Sequence, residues 1–134
     1  MKVMRITVVA ALIIGSSLAL HAAAQQQQQG VRRTDLQRHD LSVPAREVVQ
    51  VRVELDPGVA FGRHWHPGEE IVHVLEGSLE YQVEAKPPVI LDAGGLLFLP
   101  ARTIHAAKKV GRSNGVELAT YIVEKGKPLV VMVR

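Results

Sequence analysis

The fold of this chain is decided by the stretch GVAFGRHWHPGEEIVHVLEG, residues 58–77. His64 and His66 stand two positions apart in it, and Glu70 follows four residues later. Because successive side chains of a β-strand point to opposite faces, the two histidines lie on one face, about 6–7 Å apart, close enough to converge on one ion. Pro67-Gly68 predicts a tight turn into a second strand. Antiparallel pairing of these two strands would bring the Glu70 carboxylate back beside both imidazoles.

A fourth candidate ligand is His105, the last residue of GGLLFLPARTIH, residues 94–105. Only tertiary folding can bring it to the other three. A His-x-His pair on a strand is often only an exposed or packed pair, but the glutamate and the distant histidine favour a metal site. Three imidazoles and a carboxylate suit Fe, Mn, Ni, Cu, Co or Zn, and the absence of cysteine argues against a structural zinc site. A six-coordinate ion with four protein ligands keeps two positions for water, substrate or dioxygen.

Together the two segments resemble the paired motifs of the cupin superfamily. The first motif, G(X)5HXH(X)3–4E(X)6G, is matched at every defined position of residues 58–77. The second, G(X)5PXG(X)2H(X)3N, is matched at its first glycine, its proline and its histidine within residues 94–105. Arg102 stands in place of the second glycine, and Lys109 in place of the asparagine. The resemblance covers about residues 46–124.

The resemblance implies an all-β fold, a double-stranded β-helix or jelly-roll barrel. It assigns His64, His66, Glu70 and His105 as the ligands of one divalent metal ion. Cupins include dioxygenases, isomerases, lyases, decarboxylases, sugar binders and storage proteins, so the likeness indicates a fold more strongly than a reaction. It also implies a homodimer, since open edge strands of such barrels commonly pair.

Two functions are compatible with these residues. The first is a metal-dependent enzyme, such as a dioxygenase, lyase or isomerase, that acts on a small polar or carboxylated molecule at the His3Glu site. The alternative is a non-catalytic module that binds a sugar, an organic acid or a metal. A general acid or base within reach of the metal-bound ligand would distinguish them, and the candidates are Tyr81, Tyr121 and Glu117. For both tyrosines, ordinary core packing is the alternative.

Alternation of apolar and polar residues predicts strands throughout residues 46–134. The pattern is clearest in residues 49–55, where valine or leucine occupies every second position, and Asp56-Pro57-Gly58 ends this strand as a turn. Further strands are predicted at short intervals, near residues 59–66, 69–76, 78–84, 88–92, 96–99, 103–110, 116–124 and 129–133. Short strands separated by glycine and proline are typical of a jelly roll.

The N-terminus has the pattern of an export signal. Residues 1–24 combine a basic start, an apolar stretch over residues 6–20 and a small-residue end at Ala22-Ala23-Ala24. We expect cleavage after Ala24 and a bacterial periplasmic or secreted location. The uninterrupted apolar run is short for a ~20-residue membrane span, so we expect no stable membrane anchor after cleavage. Residues 25–45 are predicted to be a disordered Gln-rich spacer followed by an irregular or short-strand lead-in.

Charge and cysteine content exclude several classes of function. The formal net charge is +3, but residues 1–24 hold two basic residues and no acid, which leaves 14 basic against 13 acidic residues. A near-neutral mature chain gives little support to a nucleic-acid partner, and we expect none. Without cysteine, disulfides and thiol nucleophiles are excluded, so any redox chemistry would have to take place at the metal.

The alternation of side chains along a strand also predicts which face each residue near the site takes. If His64 faces inward, Gly62 shares its side and Phe61 faces outward, which would leave room above the metal. His73 is predicted on the outer face, and Lys109 at the barrel rim. Arg102 is predicted to be either a solvated loop residue or, at the barrel mouth, a group that binds an acidic substrate.

Overall fold

The computed structural model describes residues 28–134, which form ten β-strands and no helix. The strands are β1 (Val31–Asp40), β2 (Arg46–Leu55), β3 (Ala60–Trp65), β4 (Gly68–Glu76), β5 (Ser78–Val83), β6 (Val89–Asp92), β7 (Leu96–Leu99), β8 (His105–Val110), β9 (Gly115–Glu124) and β10 (Val131–Met132). From β2 onward their bounds follow the predicted strands closely.

The strands form two five-stranded sheets in which every pairing is antiparallel. Sheet A has the order β1-β2-β9-β4-β7, and sheet B has the order β10-β3-β8-β5-β6. Strands that follow one another in the chain mostly lie in different sheets or pair with distant partners. This arrangement confirms the predicted double-stranded β-helix or jelly-roll fold.

The core lies between the inner faces of the two sheets. Val49, Val51, Val53 and Leu55 of β2 are each at most 2% exposed, and the residues between them remain partly accessible. Each such side chain contributes about 1.5–3 kcal/mol when it is removed from water. The period-two pattern therefore sets the face of β2 that points into the barrel.

The segment predicted as an irregular or short-strand lead-in differs from the structure, because it contains the full ten-residue edge strand β1. Only Val31 is buried there, so no apolar alternation marks the strand in the sequence. Its backbone pairs with β2 from Val31↔Leu55 to Asp40↔Glu47, with one bulge between Asp35 and Gln37. Backbone hydrogen bonds, rather than a hydrophobic pattern, hold it in place.

The predicted signal sequence, residues 1–24, lies outside the described residues. Within residues 28–134 no helix is long and apolar enough to cross a membrane.

The link between β3 and β4 crosses from sheet B to sheet A. The predicted antiparallel pairing of these two strands is therefore wrong: β3 pairs with β8 and β10, and β4 pairs with β7 and β9. Gly68 begins β4 where the backbones come close, since a Cβ at this position would lie 2.7 Å from the Cα of Val123. Glycine is required there by the space available, which lets the chain change sheets within two residues of His66.

Candidate metal centre

The candidate ligands come from both sheets and meet inside the barrel. His64 lies near the end of β3 and is paired in register with His105, the first residue of β8. His66 lies just after β3, and Glu70 lies on β4 in the opposite sheet. All four side chains are buried, with exposures of 2–4%.

The three histidines form one cluster with the dimensions of a metal site. Each offers one ring nitrogen, and these nitrogens lie within 4.8 Å of one another. The imidazole of His64 lies 4.2 Å from that of His105 and 4.9 Å from that of His66, between ring centroids. Glu70 reaches the cluster through Oε2, which lies 3.1 Å from Nε2 of His66 and 3.2 Å from Nε2 of His105.

Backbone carbonyls set the orientation of all three imidazoles. The Nδ1 atoms of His64, His66 and His105 lie 2.7, 2.6 and 2.9 Å from the carbonyl oxygens of Gly62, Leu129 and Thr103 respectively. A carbonyl can only accept, so each Nδ1 carries the proton and donates it. Each neutral ring then directs the lone pair of Nε2 into the site, the arrangement by which histidines bind metal ions.

Two buried atoms of the cluster lack a partner that a bound cation would supply. His66 Nε2 and Glu70 Oε2 are buried and have no hydrogen-bond partner of acceptable geometry among the described residues. Two acceptors 3.1 Å apart repel each other unless a positive charge lies between them. A metal ion bound by imidazole and carboxylate supplies that charge, and the donor set contains no thiolate.

The protonation states of the cluster agree with this need for positive charge. Burial raises the pKa of Glu70, but its contacts with His105 and His66 outweigh burial and hold the pKa below its ordinary value. Burial lowers the pKa of His105, but the contact with the Glu70 carboxylate raises it by more, so the pKa lies above its ordinary value. Burial, with the charges of His105 and His66, lowers the pKa of His64 to about 3, so this ring is neutral at physiological pH.

A bulge in β3 corrects the predicted packing above the histidines. The register with β8 shifts between Phe61 and His64, so three residues of β3 span two of β8. Phe61 therefore turns inward and packs edge-to-face on His64, with 4.5 Å between ring centroids, while Ala60 is exposed. The prediction that Phe61 faces outward and leaves room above the metal is therefore wrong.

A narrow cavity extends from the ligands into the barrel. Besides His64, Glu70 and His105, it is lined by the polar side chains Arg33, Tyr81, Glu117 and Tyr121 and by Phe61. Tyr81 donates its hydroxyl hydrogen to Oε2 of Glu117. Tyr121 accepts a hydrogen bond from Nη2 of Arg33 at 3.2 Å, and its ring lies 4.7 Å from that of His66.

Glu117 is the cavity carboxylate whose proton affinity is raised. Burial, followed by the negative charge of Glu70, raises its pKa to about 7, although Tyr81, Arg33 and His105 act in the opposite direction. Burial and the nearby carboxylates raise the pKa values of Tyr81 and Tyr121 well above their ordinary range. Both tyrosines are therefore neutral, and Glu117 is the cavity carboxyl group that titrates near neutrality.

The remaining sequence predictions have mixed outcomes. His73 lies on the outer face of β4, as predicted. Lys109 is not at an exposed rim: it is 1% exposed, and its ammonium group donates to the backbone carbonyl of Val110. Arg102 adopts φ 63°, a left-handed backbone conformation that glycine adopts at less cost. Its guanidinium lies on the outside, 5.7 Å from the ring of Trp65 and 3.7 Å from Glu124.

Arg33 is the cavity residue that sequence reasoning missed. It lies within residues 25–45, the predicted spacer and lead-in, and belongs to no motif. One signal was available, because Arg33 shares parity with Val31, the apolar residue that begins the strand.

Comparisons with known proteins agree with this geometry. A family model described as "Cupin domain" matches residues 51–121. Dimethylsulfoniopropionate lyase DddQ of Ruegeria pomeroyi is 35% identical over 60 residues, which are 45% of this chain and 30% of that protein. Its crystal structure is similar with a TM-score of 0.58 and 26% identity, covering 64% of this chain and 43% of that one. The chain thus spans about 30% of the length of this curated relative.

Two further structures show the same fold at lower identity. KdgF from Halomonas sp. has a TM-score of 0.62 and 21% identity, covering 76% of this chain and 86% of that one. An oxalate oxidase has a TM-score of 0.64 and 21% identity, covering 81% of this chain and 57% of that one.

Proposed function

The chain belongs to the cupin domain family, and we propose that it is a metal-dependent enzyme acting on a small polar or carboxylated molecule. His64, His66, Glu70 and His105 would hold one divalent ion, drawn from Fe, Mn, Ni, Zn, Cu and Co. One observation carries the proposal: three Nε2 lone pairs and a carboxylate converge at a buried point, with every Nδ1 already donating to a carbonyl. Such a site binds a cation or remains electrostatically unsatisfied.

When bound, the ion would supply Lewis-acid polarisation of a substrate oxygen or activation of dioxygen. The chain's own contribution is proton transfer. With a pKa raised to about 7, Glu117 exists in both protonation states near neutral pH and can hold or release a proton. Tyr81 donates to it and lines the same cavity, so the hydroxyl can pass that proton between Glu117 and a bound molecule. This pair supports an enzyme over a passive binding module.

The names of two similar proteins support the substrate class. One is a dimethylsulfoniopropionate lyase, and another is an oxalate oxidase. Both substrates carry carboxylate groups. The shared chemistry favours a small carboxylated molecule here without assigning either reaction to this chain.

Elemental analysis tests the metal centre directly. The protein would be purified without chelator or immobilised nickel, together with the His66→Ala, His105→Ala and Glu70→Ala variants. We expect about one ion per chain in the wild type and loss of the ion in each histidine variant. His73→Ala is the matched control, because this histidine lies on the outer face of β4 and should leave the metal content unchanged. A full complement of metal in the His66 and His105 variants would refute the ligand assignment.

We also propose that the chain is exported to the periplasm or secreted, with residues 1–24 removed. The basic, apolar and small-residue pattern of that segment supports this. N-terminal sequencing of the mature protein should begin at Gln25, whereas an intact Met1 in the purified protein would contradict export.

A homodimer is the third proposal. It is supported by apolar side chains on the outside of sheet A beside the edge strand β7, where Ile71, Leu96 and Phe98 are 39%, 65% and 56% exposed. Ile71 and Phe98 are register partners, so the patch is continuous across β4 and β7. Light scattering should give twice the chain mass for the wild type and the monomer mass for Leu96→Glu. Leu36→Glu, on the opposite edge strand β1, is the control that should remain dimeric.

A further inference from the structure

We infer that Arg33 selects the substrate of the metal centre by binding a carboxylate group of that substrate inside the barrel. The inference rests on the proposed function for the site itself. It names the substrate class, a small carboxylate, and the residue that recognises it.

The register of β1 places Arg33 in the barrel. It is paired with Val53, whose side chain is 2% exposed in the core. Val31, two residues before it, is 3% exposed on the same face. Arg32 points the other way, to the outside, where it forms ion pairs with Glu54 and Asp56. Adjacent arginines on one strand therefore have opposite environments.

Aromatic rings hold the Arg33 guanidinium in position. Its central carbon lies 6.0 Å from the ring centroid of Phe61 and 5.9 Å from that of Tyr121. Nη2 donates to the Tyr121 hydroxyl at 3.2 Å. Cation–π contacts and one hydrogen bond fix the direction of the group, while a guanidinium has five N–H donors and so retains donors for a ligand.

Arg33 has no carboxylate partner of its own. None of the ion pairs within 4.0 Å among residues 28–134 involves it. The two carboxylates of the cavity are engaged elsewhere, since Glu70 contacts His66 and His105 and Glu117 accepts from Tyr81. Burial lowers the pKa of Arg33, but Tyr121 and the charges of Glu70 and Glu117 raise it by more, so the pKa lies above its ordinary value and the guanidinium stays charged. Because neither carboxylate forms an ion pair with it, its remaining N–H donors are open to the carboxylate of a ligand.

The same cavity is lined by Arg33 and by His64, Glu70 and His105. The guanidinium and the metal centre therefore face the same interior space, and a molecule that opened this space would contact both. A planar guanidinium matches a planar carboxylate through two parallel N–H···O bonds. The cavity itself has room for about one water molecule, so a carboxylate of a few heavy atoms enters only when a lining side chain such as Phe61 moves aside.

Binding of propionate and of its uncharged isostere propionamide tests the inference. Both would be titrated calorimetrically into metal-loaded wild type, Arg33→Gln, Arg33→Lys and Arg32→Gln, with metal content measured in parallel. Arg32→Gln makes the same charge change one residue away on the outer face. We expect the wild type to bind propionate about 10-fold more tightly than propionamide, and Arg33→Gln to lose that preference. Arg33→Lys should lose part of it, and Arg32→Gln none.

The outcomes separate the inference from the proposed function. If Arg33→Gln binds propionate as the wild type does, or if the wild type does not prefer propionate, the inference is overturned even when one ion per chain is found. Preferential binding of inorganic phosphate over propionate would also overturn it, because the ligand class would be wrong. If the wild type holds no metal but binds propionate in an Arg33-dependent way, the metal proposal fails and the anion site is supported. If Arg33→Gln does not fold, Arg33→Lys provides the test. A wild-type affinity for propionate in Arg33→Lys would count against the inference, and a reduced affinity would support it.

Discussion

Glu117→Gln should remove a pH dependence of stability that is built into the barrel core. The carboxyl of Glu117 is 6% exposed, and its pKa rises from 4.5 to about 7 on folding. Between these values the folded protein binds more protons than the unfolded chain, so stability falls as the pH rises through this range. At 1.36 kcal/mol per pKa unit, the full loss is about 3 kcal/mol, complete above the folded-state pKa.

The glutamine variant keeps the shape of the side chain and has no charge to bury. We therefore expect it to match the wild type near pH 4 and to exceed the wild type by up to about 3 kcal/mol at pH 8.5. Glu70 and His105 interact with the charge of Glu117, so the variant also changes their titration, and the difference between the two proteins reports the coupled cluster.

Urea unfolding from pH 4 to pH 8.5 measures this difference. Metal-free protein in a chelator is required, because a bound cation would favour the ionised carboxylate and lower its pKa. Glu124→Gln, a change on the same strand at a partly accessible position, is the control and should parallel the wild type. Parallel pH profiles for Glu117→Gln and the wild type would refute the assignment of a buried, protonated Glu117.

Three other changes have defined outcomes in the same assay. Arg102→Gly should be more stable than Arg102→Ala by about 1 kcal/mol, since alanine keeps the unfavourable φ of 63° and glycine does not; equal stabilities would contradict a left-handed conformation. Gly68→Ala should lose at least about 2 kcal/mol, because the new Cβ meets backbone of β9 that cannot move aside, whereas Gly58→Ala meets nothing within 4 Å and should lose only about 1 kcal/mol. Adding metal at about 100 times its dissociation constant should stabilise the wild type by about 2.7 kcal/mol and leave His66→Ala unchanged; an equal gain in both would show binding elsewhere.

Local patterns in the sequence were sufficient for most of the secondary structure. Period-two alternation in residues 49–55 predicted the buried face of β2, and glycine and proline punctuation predicted the later strands within a few residues. The spacing of His64, His66 and Glu70 predicted that their side chains lie near one another, because strand geometry limits the distance between residues this close in the sequence. The sequence by itself thus determined the fold class and the candidate ligands.

Only the tertiary structure decided how those ligands meet and what surrounds them. Alternation says which face a residue takes but not which sheet its strand joins, so β3 and β4 could be predicted to pair although they lie in opposite sheets. The bulge that turns Phe61 inward depends on the register with β8. Arg33 lies in the cavity because of the register in which β1 pairs with β2. This pairing is made by backbone groups, so no side-chain pattern in the sequence predicts it. Pairings between distant strands arise from the whole set of long-range contacts, and no short segment contains that information.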